Sequence, residues 1–182
     1  ADRLEKAIVG LPQGARIGDA QWSPDGRRIA FSVVKENALD LYTADANNGF
    51  VAKRLTDRTL NAAITKAFVW QSDSRSLLAN FVPLGRAAPP KLTELPTGPS
   101  ILENLGKRNT ARTYQDLLKS PHDEALFDYY GLSELSSIAL DGKLTVIASG
   151  LIRAFQPSPD GEFVLVQLIR RPYSYSVPMP RF

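Results

Sequence analysis

From Arg28 to Val34 the chain alternates: Ile29, Phe31 and Val33 fall on one face of an extended segment, Arg28, Ala30 and Ser32 on the other. A period of two predicts a half-buried β-strand. Just before it, Trp22-Ser23-Pro24-Asp25-Gly26 closes an earlier strand with a tight turn. Pro24 presets φ at the second turn position, Asp25 tolerates the third, and Gly26 supplies the left-handed conformation that returns the chain. The same hairpin recurs at Trp70-Gln71-Ser72-Asp73-Ser74 and at Pro157-Ser158-Pro159-Asp160-Gly161, 48 and 135 residues further on. In that register Ile29, Leu77 and Val164 coincide, as do Phe31, Ala79 and Val166. A hairpin at a fixed place in repeats of this length is the signature of a β-propeller blade, the alternative being unrelated hairpins in a β-sandwich.

The expected fold is therefore all-β: a partial β-propeller of about two and a half four-stranded blades, with a helical insertion in the second blade. Residues 1–13, with the apolar run Ala7-Ile8-Val9, read as the last strand of a preceding blade. Residues 16–57 form one blade, its third and fourth strands joined at Asn47-Asn48-Gly49. Residues 62–149 form a second blade, interrupted at about 84–131 by a Pro-rich, basic segment and then by helical signals. Thr113 caps a first short helix over 114–118; Ser120 and Pro121 open a second over His122–Tyr130, ended by Gly131. In that second helix Leu126, Tyr129 and Tyr130 share a face expected to meet apolar surface. Residues 152–182 supply half a blade. An arc leaves strand edges open, which predicts self-association through them.

Composition narrows the function classes. Apolar residues make up 43% of the 182, enough for a buried core. The net charge is +3, but 22 basic residues are scattered among 19 acidic ones, which is no nucleic-acid footprint. There is no cysteine, hence neither a disulfide frame nor a thiolate metal site, and no apolar run long enough for a spanning helix. No leader-type apolar core opens the chain. No nucleic-acid, membrane, metal or cofactor partner is expected.

Catalytic chemistry is also missing. Serine catalysis needs a base beside an exposed hydroxyl, yet the chain has no Gly-x-Ser-x-Gly and a single histidine, His122, in the first turn of a predicted helix. His122-Asp123-Glu124 lie at consecutive helix positions that point in different directions, so they make no metal shell. Asp25, Asp73 and Asp160 recur in register, but as turn formers. No catalytic residue is assigned.

Several segments are more distinctive than the hairpins: Gly10-Leu-Pro-Gln-Gly-Ala-Arg-Ile17, Leu95-Pro-Thr-Gly-Pro99, Arg112-Thr-Tyr-Gln-Asp-Leu-Leu118, Leu126-Phe-Asp-Tyr-Tyr130 and Arg171-Pro-Tyr-Ser-Tyr175. Together they resemble the N-terminal propeller of the glutamyl endopeptidases, within the prolyl oligopeptidase family of serine peptidases. The resemblance runs from about Gly10 to Phe182. It implies a propeller that caps an α/β-hydrolase domain carrying a Ser-Asp-His triad, gates its entrance and helps bind peptide substrate cleaved after glutamate. It also suggests a bacterial periplasmic or secreted setting, or a plastid stroma. The chain departs from the family where Trp70-Gln-Ser-Asp-Ser lacks the Pro and Gly of the turn and where Pro157 replaces the Trp; the remaining blades and the hydrolase domain are not in it.

A substrate carboxylate in a dry cleft calls for an arginine fork, which satisfies both oxygens. Arg170 and Arg171, with Tyr173 beside them, are the substrate-binding candidates; a structural or solvated arginine pair at a strand end is the other reading. Likewise Arg86, Lys91, Lys107, Arg108 and Arg112 either steer acidic peptides or form a charged surface loop. A stand-alone propeller that docks a protein partner remains the alternative function.

Overall fold

The computed structural model describes residues 5–91 and 117–177, and the chain divides into two units. The first comprises Ala1–Arg86 and Gly131–Ile169, the second Ala87–Tyr130 and Arg170–Phe182. The predicted helix over 114–118 with its Thr113 cap falls outside the described residues save for Leu117 and Leu118. So do Leu95–Pro99 and the basic residues Lys107, Arg108 and Arg112.

Among the described residues the first unit holds nine strands in two antiparallel sheets. One contains β1 (Arg16–Trp22), β2 (Arg28–Val34), β3 (Leu39–Asp45) and β4 (Ala52–Arg54), in that spatial order. The other contains β5 (Phe68–Trp70), β6 (Ser76–Phe81), β7 (Leu132–Ala139), β8 (Leu144–Pro157) and β9 (Val164–Ile169), again in sequence order. Each strand thus pairs with its sequence neighbour, the meander of a propeller blade.

Burial shows why these segments are strands. The central strands β2, β3 and β6 are buried on both faces. Ala30 packs with Leu41, Leu55, Phe68, Trp70, Leu77 and Phe81 between the two sheets. On the opposite face of β2, Phe31 and Val33 join Tyr42 and Ala44. The half-buried alternation expected of β2 is therefore replaced by burial of both faces, and even Ser32 is 2% exposed. Its hydroxyl stays satisfied by accepting the Asp19 N–H at 3.0 Å. At about 25 cal/mol per Å², each buried Phe or Leu here stabilises the unit by roughly 1.5–3 kcal/mol before its ordering cost.

β8 is shared between two pairings within one sheet. Its first half, from Leu144 to Leu151, pairs with β7; its second half, from Leu151 to Pro157, pairs with β9. At the pivot Gly150 has a φ of 150°, a conformation open to glycine. The sheet curls there, so that Ile152, Phe155, Val164 and Val166 pack against Val69, Leu78 and Leu135 of the same sheet. The boundary expected between the second and third repeats thus lies inside a strand, not in a loop. The architecture is mostly β, a partial propeller whose successive sheets pack face to face.

Other differences are local. Val9 forms a parallel bridge to Val51, donating to the Phe50 carbonyl and accepting from the Ala52 N–H, so the first apolar run lies along the edge of β4. Asn47-Asn48-Gly49 does not form a two-residue hairpin loop. Ala46–Asn48 make one 3-10 turn, because the Asp45 carboxylate caps the Asn47 N–H and Gly49 ends the turn at a left-handed φ of 62°.

In the second unit, α1 begins at Pro121, and its last residue, Gly131, belongs to the first unit. Ser120 caps it by accepting the Asp123 N–H at 3.2 Å, and Asp123 accepts the Lys119 N–H in return. Of the expected apolar face, Tyr130 is half exposed and meets Tyr129 edge to face, while the Tyr129 hydroxyl donates to the Ala87 carbonyl.

Candidate functional site

The three aspartates at recurring turn positions share one role. In the first hairpin Asp25 Oδ1 accepts the Ser23 hydroxyl at 2.6 Å and the Arg27 N–H at 3.0 Å. In the third, Asp160 accepts the Ser158 hydroxyl and the Glu162 N–H. In the second, Asp73 accepts the N–H groups of Arg75 and Ser76 as well as the Ser76 hydroxyl. These hydrogen bonds favour the charged form, and hold Asp25 and Asp160 below the usual aspartate range. Carboxylates so engaged organise turns.

The hairpins also touch in sequence. The Asp25 N–H donates to Ser74 Oγ and Arg28 to the Ser74 carbonyl, joining the first hairpin to the second. Gln71, Ser72 and Asp73 face Pro159, Asp160 and Gly161 across a polar cleft of about 390 Å³, joining the second to the third. His122 is half-buried in the first turn of α1, and among the described residues no group of three or more His, Asp or Glu is placed to hold a metal.

The candidates Arg171 and Tyr173 both take part in a charged cluster in the second unit. Glu124 and Asp128 are four residues apart on α1, so their carboxylates leave the same face. Arg171 donates to both. Its Nε and one terminal nitrogen reach Asp128 Oδ2 at 3.3 and 2.6 Å, and the other terminal nitrogen bonds Glu124 Oε2. Tyr173 donates its hydroxyl to Asp128 Oδ1, and Tyr175 donates to Glu124 Oε1 at 2.7 Å. The guanidinium also lies over the Tyr173 ring, 5.0 Å from its centroid, and Phe127 meets that ring edge to face, with centroids 5.3 Å apart.

The sequence accounts for much of this geometry. Tyr173 and Tyr175 alternate along a short segment whose end is turned by Ser174, which accepts the N–H groups of Ser176 and Val177. The electrostatics follow from the pairing. Burial first, and then the bond to Asp128, push the Tyr173 phenol up to about 12. The Tyr175 phenol is raised by its bond to Glu124, and the Arg171 guanidinium by its bond to Asp128. With two carboxylates around one guanidinium, the cluster carries a net charge of −1. Arg170, the third candidate, is exposed and makes no ion pair among the described residues.

Sequence reasoning singled out the arginine and the first tyrosine but missed Glu124, Asp128 and Tyr175. The signals were present: an acidic pair at helical spacing, and a Tyr-x-Tyr alternation. Neither says which residues, more than 40 positions apart, will meet. Chemically, the cluster holds one guanidinium between carboxylates and presents its outer N–H groups to solvent, since Arg171 is 53% exposed. It contains no nucleophile-and-base pair.

No protein-family model matches the chain. Two curated plant proteins do, each named probable glutamyl endopeptidase, chloroplastic. The protein from Oryza sativa subsp. japonica is 40% identical over 188 aligned residues, covering 98% of this chain and 20% of that protein. The one from Arabidopsis thaliana is also 40% identical, over 98% of this chain and 19% of its own length. A solved structure, acylaminoacyl peptidase from Pyrococcus horikoshii, aligns with a TM-score of 0.47 at 20% identity, over 86% of this chain and 21% of that one. The chain spans about a fifth of the length of the curated relatives it matches. Over nearly its whole length, then, the chain is a homologue of one fifth of the proteins named probable glutamyl endopeptidase.

Proposed function

We propose that this chain is the non-catalytic propeller part of a serine peptidase of the glutamyl endopeptidase type, gating the active site and helping to bind peptide substrate. The observation that carries the reading is the 40% identity to probable glutamyl endopeptidases along 98% of the chain. The blade-like sheets, with the sequence's lack of a Ser-His pairing motif, fit a cap and not a catalytic domain. Its partners in this reading are an α/β-hydrolase domain of the same protein and the peptide itself. The half-exposed or more exposed Phe163 and Leu165 at the last strand favour further polypeptide against that sheet, from the same protein or from a second copy.

In this reading Arg170, Arg171 and Tyr173 meet the acidic side chain of the substrate. Arg170 offers an exposed guanidinium, and Arg171 offers one already shaped for carboxylates and steadied by Tyr173. The test is a full-length polypeptide carrying this chain, assayed on glutamyl and glutaminyl peptides of increasing length up to folded proteins. The reading expects hydrolysis after glutamate that declines as the substrate grows, and none from these 182 residues alone. Size-independent cleavage would remove the gating role; hydrolysis by the isolated chain would remove the whole assignment.

A further inference from the structure

The guanidinium of Arg171 is occupied by the chain's own carboxylates. Of its five N–H donors, two go to Asp128 and one to Glu124. An acidic peptide side chain arriving there has two options. It can add to the outer N–H groups, which places a third carboxylate on one cation and leaves two negative charges uncompensated. Or it can exchange with a carboxylate already present, which keeps the charge of the cluster as it is. Coulomb's law favours exchange.

The two internal carboxylates are not equally held. Asp128 takes two N–H groups from Arg171 and the hydroxyl of Tyr173, whose ring is clamped by Phe127. Glu124, although less exposed than Asp128 (15% against 39%), takes only two bonds, one N–H from Arg171 and the hydroxyl of Tyr175. Glu124 also carries one more rotatable bond with which to swing away. We infer that Glu124 is a specificity-determining residue, an internal stand-in for the acidic side chain of the peptide, which binds Arg171 by displacing it while Asp128 stays in place. This rests on the reading of Arg171 as the substrate's receptor.

The physical consequence is selectivity. A glutamate side chain replaces what it displaces, charge for charge and group for group. Freeing Glu124 from its cation costs the same for either peptide, but a glutamine side chain would also leave the Arg171 edge without an anion, and is rejected for that reason. The competition also weakens binding of the correct peptide, since its carboxylate must outbid the resident one.

The experiment uses the 182-residue chain and two blocked pentapeptides, one with a central glutamate and one with a central glutamine. Binding is measured by calorimetry, and the side-chain N–H resonances of Arg171 are followed by NMR. Glu124→Gln removes the competitor and is expected to tighten the glutamyl peptide about three- to tenfold, leaving the glutaminyl peptide unchanged. Tyr175→Phe keeps the carboxylate but removes its anchor, and is expected to shift the affinity in the same direction by less; it also serves should Glu124→Gln fail to fold. Unchanged or weaker glutamyl binding in both variants overturns the exchange. Arg171→Ala separates the two ideas. If it abolishes the preference for glutamate while Glu124→Gln leaves it untouched, only the exchange fails. If Arg171→Ala changes nothing, the receptor reading fails with it.

Discussion

Trp70 donates its indole N–H to the backbone carbonyl of Gln21 at 3.1 Å, and Gln21 returns a side-chain N–H to the carbonyl of Phe68 at 3.0 Å. This reciprocal pair ties β1 to β5, the first strands of successive sheets. It fixes their relative height, and so the line along which the hairpins follow one another. Trp70 is 6% exposed and belongs to the core between the sheets. Trp70→Phe keeps most of the packing and loses the bond, so it should cost about 1–2 kcal/mol. Trp70→Ala should cost about 3–5 kcal/mol. Urea unfolding followed by far-UV circular dichroism measures both; equal midpoints for Trp70→Phe and the parent would show that the bond contributes nothing.

Gly131 is where α1 passes directly into β7. A Cβ built there lies 2.5 Å from Ile64 Cδ1 and 2.9 Å from Leu151 Cδ2, so an added methyl forces those side-chain ends to shift. Gly131→Ala should destabilise by about 1–3 kcal/mol. Trimming the neighbour in Gly131→Ala/Ile64→Val should recover part of that loss, and a double-mutant cycle in thermal denaturation reads the recovery.

Acid should loosen the hairpins. The Asp25 and Asp160 carboxyls are depressed in the folded chain by serine and backbone donors, so the folded state holds their protons less tightly than the unfolded one. Their contribution is complete above the ordinary aspartate value of about 4 and fades as pH falls through the lower folded values. Both groups are solvent-exposed, so the effect is modest. Urea midpoints between pH 2 and 6 should fall on acidification, and Asp25→Asn/Asp160→Asn should flatten that slope.

The Tyr173 phenol, pushed up to about 12 from the ordinary tyrosine value of about 10, should ionise late. Its raised value means that the folded state favours the neutral phenol. That stability is whole below pH 10 and is lost as pH rises through about 12. Absorbance near 295 nm should show a late-titrating fraction to which Tyr173 and the likewise raised Tyr175 contribute. Asp128→Asn removes both the acceptor and the negative charge, and should bring that transition earlier; an unmoved titration would mean burial alone sets the value.

Asp40 is fully buried, between Lys35 at 2.5 Å and Arg54 at 2.9 Å. Either cation alone still compensates the carboxylate, so single replacements by methionine should each cost on the order of 1 kcal/mol. Lys35→Met/Arg54→Met strands a buried charge and should cost about 3–5 kcal/mol, more than the singles combined. Adding Asp40→Asn should restore much of that difference, as read from thermal midpoints.

Much of this molecule was legible in its residues because much of it is local. Ser23-Pro24-Asp25-Gly26 and Ser158-Pro159-Asp160-Gly161 specify their turns through bonds spanning two to five positions, and Ser120-Pro121 specifies the start of α1 in the same way. Strand alternation follows from side-chain geometry, and so does the order of the sheets, since short connections place neighbours side by side. What required the folded chain were relations between distant positions with no local price. Burial of both faces of β2 depends on a second sheet arriving over Ala30. The sharing of β8 between two pairings depends on where β9 comes to lie. The company of Arg171 depends on carboxylates 43 and 47 residues earlier in the chain. A sequence states which groups are able to pair; only the approach of remote segments, each selected by the packing of all the others, settles which of them do.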